Sequence, residues 1–142
     1  MEWNDVLQNE GKVRIIQELV PGRQITIAHL IANPDADLYV KLGLDPKNDK
    51  KRAAIGLVTI SPAETAVIAA DIAVKSSGVE LGFVDRFSGT LIVMGTVSET
   101  EAAIRAVLEY TKNKMGFAVC ELTRTYLLPV TAFLIVKNLN TL

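Results

Sequence analysis

Two consecutive segments of the chain have the same layout, and this repeat constrains the fold more than any other feature. Each segment begins with a β-branched, apolar run, at residues 55–60 and again at residues 91–97. Each run leads to a serine followed three residues later by a glutamate, which is the spacing of a helix-capping box. The two pairs are Ser61 with Glu64 and Ser98 with Glu101. The sequence therefore predicts a helix of about four turns after each run.

A glycine and a second strand close each of these units. Gly78 and Gly116 follow the predicted helices and are predicted to be left-handed C-caps. The closing strands are predicted at residues 79–84 and 117–122. The order β-α-β, link, β-α-β indicates an α+β fold with a ferredoxin-like antiparallel sheet and both helices on one face. On the first of these helices, Asp71 and Lys75 have the spacing of an exposed ion pair. Pro62 is predicted to occupy the first helical position.

Three further pieces precede this repeat. Residues 24–32 read as a strand, and residues 36–42 read as a short helix ended by Gly43. Residues 13–20, VRIIQELV, are β-prone but neither alternating face is clearly apolar. Such a strand adds little to its own core, so we expect it to pair with another chain. Residues 45–52, DPKNDKKR, are predicted to be a solvated linker.

Composition excludes several classes of protein. The length of 142 residues suggests one domain, and the net charge of -1 does not favour nucleic-acid binding, which usually needs a basic face. A single cysteine favours a reducing compartment. The longest apolar stretch, YLLPVTAFLIV, has 11 residues and is interrupted by Pro129, so it is too short to span a bilayer. We therefore expect a soluble, cytoplasmic protein with no nucleic-acid or membrane partner.

The sequence contains no pattern typical of a reaction centre. His29 lies within an apolar strand and is interpreted as a structural or interface residue, and Cys120 is interpreted as a packed thiol. The sequence has no phosphate-binding glycine motif and no zinc-ligand spacing, so it predicts no catalytic residue, cofactor or metal. Asp85 and Arg86 are strand neighbours that point to opposite faces, which makes them a poor acid–base couple.

The segment DRFSG, residues 85–89, is interpreted as a hairpin turn. Ser88 and Gly89 are turn residues between two apolar strands. This interpretation leaves Phe87 exposed at the tip of the turn, where an aromatic side chain has no local explanation.

Several of these motifs together resemble those of one protein family. The stretch ADIAVKSSGVELGFVDRFSGTLIVMGTVSETEAAI and the motifs VPGRQITIAHLIANP, GFVDRFSG and CELTRT are similar to bacterial microcompartment shell domains, the tiles of protein-walled metabolic organelles. QITIAHLIA and its helix come before the repeat, which resembles the circularly permuted subclass of ethanolamine- and propanediol-utilisation compartments. The resemblance covers about residues 13–125 and leaves ethanolamine, propanediol and choline pathways open.

The resemblance implies a structural tile that is not an enzyme and that forms a homo-hexamer in a cytoplasmic shell. Its partners would be other shell proteins, met edge to edge, and encapsulated enzymes. Phe87, Ser88 and Gly89 would lie near a six-fold pore, while Lys75 and Arg124 would lie at the edge between hexamers. Residues 14–20 would form one strand of a six-stranded parallel barrel that caps the pore. The barrel residues are Ile15, Ile16, Gln17, Glu18 and Leu19.

This interpretation divides the chain into three parts. Residues 1–22 are an N-terminal extension with the barrel strand, residues 23–125 are the permuted shell domain, and residues 126–142 are an apolar tail. The tail is predicted to form an added strand or to contact a partner. Two other hypotheses remain open at this point: a small-molecule-binding regulatory oligomer on a ferredoxin-like fold, and an enzyme that uses His29 and Cys120.

Overall fold

The computed structural model describes residues 22–44 and 54–127. The predicted strand at residues 13–20 and the predicted linker at residues 45–52 lie outside these ranges. The described elements, in chain order, are β1 (Gln24–Ile31), α1 (Ala36–Lys41), β2 (Ala54–Ser61), α2 (Thr65–Ser76), β3 (Glu80–Asp85), β4 (Thr90–Gly95), α3 (Val97–Met115), β5 (Ala118–Val119) and β6 (Thr123–Thr125).

The described strands form one sheet in the order β3-β4-β2-β1, and both β5 and β6 pair with the outer side of β1. The first four strands are antiparallel, which confirms the predicted α+β class. At the last edge, β5 and β6 run parallel to β1. β1 and β4 are both antiparallel to β2, so they run in the same direction. Because the α3 crossover brings the chain back in the direction of β4, β5 and β6 are parallel to β1.

The two long helices, α2 and α3, pack on one face of the sheet, as predicted. The core between helices and sheet includes Leu30, Val58, Leu91 and Ile104, each almost fully buried. Four alanines of α2 face this core, and their small side chains let the helix lie close to its neighbours. They are Ala66, Ala69, Ala70 and Ala73.

Gly56 of β2 lies at a close approach of α3 to the sheet. A Cβ atom at this position would lie 2.7 Å from Thr100 Cγ2, 2.8 Å from Ile104 Cδ1 and 2.9 Å from Val93 Cγ2. Real side chains do not tolerate such separations without displacement, so the helix can cross here only because residue 56 has no side chain.

The opposite face of the sheet is covered at one end only. There, Tyr39 of α1 and Leu44 pack on Ile55, Ile92 and Met94. Burial raises the pKa of Tyr39 to about 12, and its hydroxyl has no hydrogen-bond partner among the described residues.

The other end of this face is exposed, and we call it the open face. It carries Ile27, which is 45% exposed, and Phe83, which is 48% exposed and pairs with Ile92. The open face thus exposes two apolar side chains, Ile27 and Phe83, beside the polar cross-strand partners Thr59 and Thr90.

The first predicted capping box is wrong. Helix α2 begins at Thr65, and its N-cap residue Glu64 makes no side-chain capping bond. Ser61 is instead the last residue of β2, where it pairs with Gln24 of β1. Sheet pairing extends one residue beyond the predicted strand, so Ser61 cannot cap a helix and Pro62 lies in the turn that follows.

The second predicted capping box is displaced by two residues. Thr96, and not Ser98, caps α3: its Oγ1 accepts from the Glu99 N–H at 3.2 Å, and its own N–H donates to Glu99 Oε1 at 3.0 Å. The displacement arises because β4 ends at Gly95 and not at residue 97. Ser98 and Glu101 consequently lie inside the helix.

The two predicted glycine caps have different outcomes. Gly116 ends α3 in the left-handed conformation with φ of 72°, as predicted. Gly78 is not left-handed, and the C-cap residue of α2 is Ser77, which has an extended conformation. The predicted last strand at residues 117–122 is also incorrect in extent, since the chain pairs with β1 in two short pieces, β5 and β6.

Candidate functional site

The Asp85–Gly89 turn joins β3 to β4, as the sequence predicts, and the Asp85 carboxylate organises it. Asp85 Oδ1 accepts from the Phe87 N–H at 2.8 Å, and Asp85 Oδ2 accepts from the Ser88 hydroxyl at 2.7 Å. These bonds, with the Ser88 bond the stronger cause, lower the pKa of Asp85. The Gly89 N–H closes the turn by donating to the Asp85 carbonyl at 2.9 Å.

Gly89 is the residue that brings this turn against β2. Its φ of 77° is left-handed, and its carbonyl accepts from the Ile60 N–H at 2.8 Å. A Cβ atom at residue 89 would collide with the carbonyl oxygen of Ile60 and would lie 3.1 Å from Cα of Ala63. The turn therefore needs glycine for its backbone conformation and also for the space beside it.

The tip of the turn presents an aromatic side chain to solvent. Phe87 is 82% exposed, and the Arg86 guanidinium lies 5.0 Å from the centre of its ring. This separation is within the range of a cation–π contact. Arg86 thus contacts Phe87, and among the described residues no ion pair joins it to Asp85.

The first described residues enter the sheet at the same end as this turn. Gln24 pairs with Ser61 on β2, and the neighbouring Ile60 bonds to Gly89. The start of β1 is two strand spacings from β4, a separation of about 10 Å. The predicted barrel residues Ile15 to Leu19 lie outside the described residues, and the described chain begins at the end of the sheet that carries Phe87.

Lys75 lies in the last turn of α2 with an exposed side chain. Its Nζ is 2.8 Å from Asp71 Oδ2, so the ion pair predicted from the four-residue spacing is present. This hydrogen bond, together with the charge of Asp71, raises the pKa of Lys75. Asp71 therefore holds the Lys75 ammonium group on the exposed surface of α2, where the group is charged and can donate hydrogen bonds.

Arg124 lies on β6 and forms an ion pair with Glu101 of α3. It also donates to the Tyr126 hydroxyl at 3.2 Å. Glu101 accepts two further bonds from Arg105, at 3.2 Å from Nε and 3.1 Å from Nη2. One carboxylate thus holds two guanidinium groups, and it joins the last described strand to α3. The four-residue spacing of Glu101 and Arg105 could indicate their ion pair from the sequence, but the contact with Arg124 has no local sequence signal.

His29 and Cys120 are not brought together. Both ring nitrogens of His29 are bonded to threonine hydroxyls, Nδ1 to Thr123 at 2.6 Å and Nε2 to Thr125 at 2.5 Å, which supports the structural interpretation. Cys120 pairs near Ile25, four residues along β1 from His29, a distance of about 13 Å. Burial raises the pKa of the Cys120 thiol, which disfavours the nucleophilic thiolate.

Within residues 22–44 and 54–127, no group of three or more His, Cys, Asp or Glu side chains is arranged to hold a metal ion. None of the described helices is both long enough and apolar enough to cross a bilayer.

The fold and the turn define the class of protein. The chain belongs to the family of bacterial microcompartment shell proteins, and residues 54–123 match the model of the BMC domain. This confirms the predicted family and its shell location.

Individual members of the family show how far the similarity extends. The chain is 50% identical over 112 residues to the bacterial microcompartment shell protein PduU of Salmonella typhimurium, covering 79% of this chain and 93% of PduU. It is 46% identical to the shell protein EutS of the same organism, over 81% of this chain and 99% of EutS. Among solved structures, the CutR flat hexamer, form 2, aligns with a TM-score of 0.69 and 44% identity, over 84% of this chain and 99% of CutR.

These relatives confirm the resemblance to the circularly permuted subclass. They are shell proteins by name, and they do not favour the alternative of a ligand-binding regulator.

Proposed function

We propose that this chain is a structural tile that assembles as a homo-hexamer in the wall of a bacterial microcompartment. The observation that carries the proposal is the alignment of the described fold with the CutR hexamer over nearly the whole of CutR. The described residues also bring together no nucleophile and base, since His29 is bonded to two threonines and burial raises the pKa of the Cys120 thiol.

The first prediction concerns the ring itself. We expect the purified chain to sediment at six times its monomer mass and to give six-fold averages by electron microscopy. The reason is that the fold matches a ring-forming relative over most of both chains. A stable monomer at every concentration and salt condition would contradict the proposal.

In this ring, the Asp85–Gly89 turn would surround the axis. The exposure of Phe87 supports this arrangement, because six copies around an axis explain an aromatic ring at the tip of a polar turn. The carboxylate of Asp85 fixes the backbone, so the six turns would present a uniform rim. Phe87, Ser88 and Gly89 would then set the width of the opening.

We also propose that residues 14–20 close this opening from one side. The entry of the chain about 10 Å from β4, at the same end of the sheet as Phe87, supports this. A single strand leaves the backbone N–H and C=O groups along its edges unpaired. A closed ring of six strands would pair these groups between neighbouring copies. The barrel residues are Ile15, Ile16, Gln17, Glu18 and Leu19.

Deletion of residues 1–20 tests the barrel. We expect the ring to persist, because the sheet and both long helices lie within residues 22–127, and we expect density over the axis to disappear from six-fold averages. Sedimentation of the deleted chain checks that the ring remains. An aggregated or unfolded product would show that the segment is part of the core and not a separable cap.

The outer edge of the tile would carry Lys75 and Arg124. Lys75 supports this role as an exposed ammonium held by Asp71, and Arg124 as a guanidinium whose position is fixed by Glu101. Edge-to-edge contact with other shell proteins would use these donors, and enzymes enclosed by the wall would be further partners.

Lys75→Ala tests this edge. We expect rings to form normally, while the concentration needed for extended two-dimensional sheets rises by about tenfold, equivalent to one charged hydrogen bond per contact. The matched control is Lys114→Ala, which removes an exposed lysine from the last turn of α3. Sheet growth followed by electron microscopy gives the comparison, and equal behaviour of the two variants would refute the assignment of Lys75 to the edge.

A further inference from the structure

An apolar row crosses the open face of the sheet. His29 of β1, Leu57 of β2, Ile92 of β4 and Phe83 of β3 are successive cross-strand partners, so their side chains share one face. Ile27 lies beside this row on β1. Ile27 and Phe83 remain about half exposed, because α1 covers only the adjacent end of the face. Ile92 is buried under Tyr39 and Leu44, so the exposed apolar side chains are those of Ile27 and Phe83, and an apolar segment can pack on these.

The chain turns toward the same face when it leaves β6. Leu127, the last described residue, lines a cleft of about 190 Å³ with Ile31, Pro34, Leu38 and Thr125. Ile31 and Leu38 pack with the cluster of Tyr39 and Ile55 that α1 forms on the sheet, and Leu57 packs against the same cluster. The cleft therefore adjoins the covered end of this face, and Leu127 lies at its rim with 72% of its surface exposed.

The sequence that follows has the composition to cover this surface. Residues 128–142 read LPVTAFLIVKNLNTL, and Lys137 is the only charged side chain among them. Fifteen extended residues reach about 50 Å, whereas β6 and β3 are separated by four strand spacings, or about 19 Å. The segment is thus long enough to cross the whole face.

We propose that residues 128–142 pack on the open face of their own chain, starting in the cleft at Leu38 and crossing Leu57 toward Phe83. The occupant is apolar and nearly uncharged, which matches the exposed side chains of Ile27 and Phe83 that it would cover. The inference goes beyond the role of a shell tile, since it gives the sheet a cover over Ile27 and Phe83 that residues 22–127 do not provide.

A tryptophan reporter in the tail tests the proposal. In the full-length chain, Trp3→Phe removes the only native tryptophan, and Phe133→Trp places one in the tail. We expect blue-shifted emission and weak quenching by acrylamide. Adding Ile27→Glu and Phe83→Glu should shift the emission to the red and raise the quenching constant several-fold. Val67→Glu, at an exposed position of α2 on the other side of the sheet, is the matched control and should change neither.

A second reporter, with the tryptophan on the open face and not in the tail, controls for any change that Phe133→Trp itself causes in the tail. With Trp3→Phe and Phe83→Trp, ending the chain after Leu127 should raise quenching of the face tryptophan several-fold. Unchanged quenching would overturn the proposal, as would a tail tryptophan that is fully exposed or that stays buried when the open face is charged.

Mixed assemblies distinguish a chain's own face from that of a neighbouring copy. Chains that carry the tail reporter and a native face are co-assembled with excess chains that carry Ile27→Glu, Phe83→Glu and no tryptophan. Retained burial of the tail tryptophan supports packing within the chain. Exposure of the tail tryptophan would show that the tail crosses to a neighbour and would refute the proposal.

Discussion

Gly89→Ala should lower the free energy of unfolding by about 3 kcal/mol or more, which combines the cost of a left-handed alanine with that of a backbone collision. The added Cβ would meet the carbonyl oxygen of Ile60, and that oxygen belongs to β2 and cannot rotate away as a side chain would. We also expect the Asp85–Gly89 turn to shift, because the Gly89 carbonyl would no longer align with the Ile60 N–H.

Gly116→Ala is the matched control for this variant. Gly116 has a φ of 72°, nearly that of Gly89, but a Cβ atom there meets no neighbouring atom within 4 Å. We expect it to cost only about 1–2 kcal/mol, which is the cost of the left-handed conformation for a residue with a Cβ atom. Urea denaturation at a fixed protein concentration gives both values. Equal losses in the two variants would show that the space beside Ile60 is unimportant.

Gly56→Ala should lower the free energy of unfolding by about 2 kcal/mol through overpacking. Its Cβ would press on Thr100, Ile104 and Val93, which lie on α3 and β4 and are themselves almost fully buried. The helix can relieve the contact only by moving away from β2, and this movement loosens the packing on either side. Thermal and urea denaturation of the variant measure the loss.

Ile104→Val provides the matched second change, because it removes the Cδ1 atom that a Cβ at residue 56 would approach most closely after Thr100. Alone, we expect this substitution to cost about 1 kcal/mol, as buried isoleucine-to-valine changes do. Combined with Gly56→Ala, the total loss should be smaller than the sum of the two single losses. Strict additivity would mean that the strain at Gly56 is carried elsewhere.

Hydrophobic periodicity and turn residues were sufficient to predict the order of the elements. The β1–α1 pair, the two β-α-β units and the left-handed cap at Gly116 all follow from local patterns that the tertiary structure reinforces. The helix starts were predicted less well, because two local signals competed. Ser61 has the residue type of a cap, but its pairing with Gln24 keeps it in the sheet. Thr96, and not Ser98, caps α3, because β4 ends two residues before the predicted end of that strand.

The candidate site was predictable only where its contacts are local. The turn at Asp85–Gly89 is such a case, although the sequence did not indicate that the carboxylate of Asp85 organises it through bonds to Phe87 and Ser88. The Glu101–Arg124 ion pair joins residues on α3 and β6 that only the complete sheet brings together. The same is true of the threonine pair around His29, whose members come from the last described strand.

The position of β1 between β2 and the last strands affects how the chain folds during its synthesis. His29 and Thr123 are 94 positions apart, so β1 acquires its second neighbour only after most of the chain has been made. At a translation rate of about 5–20 residues per second, this interval is roughly 5–20 s. During that time one edge of β1 has no partner from β5 or β6, so a nascent chain with a delayed C-terminal half has an exposed strand edge available for pairing with another nascent chain.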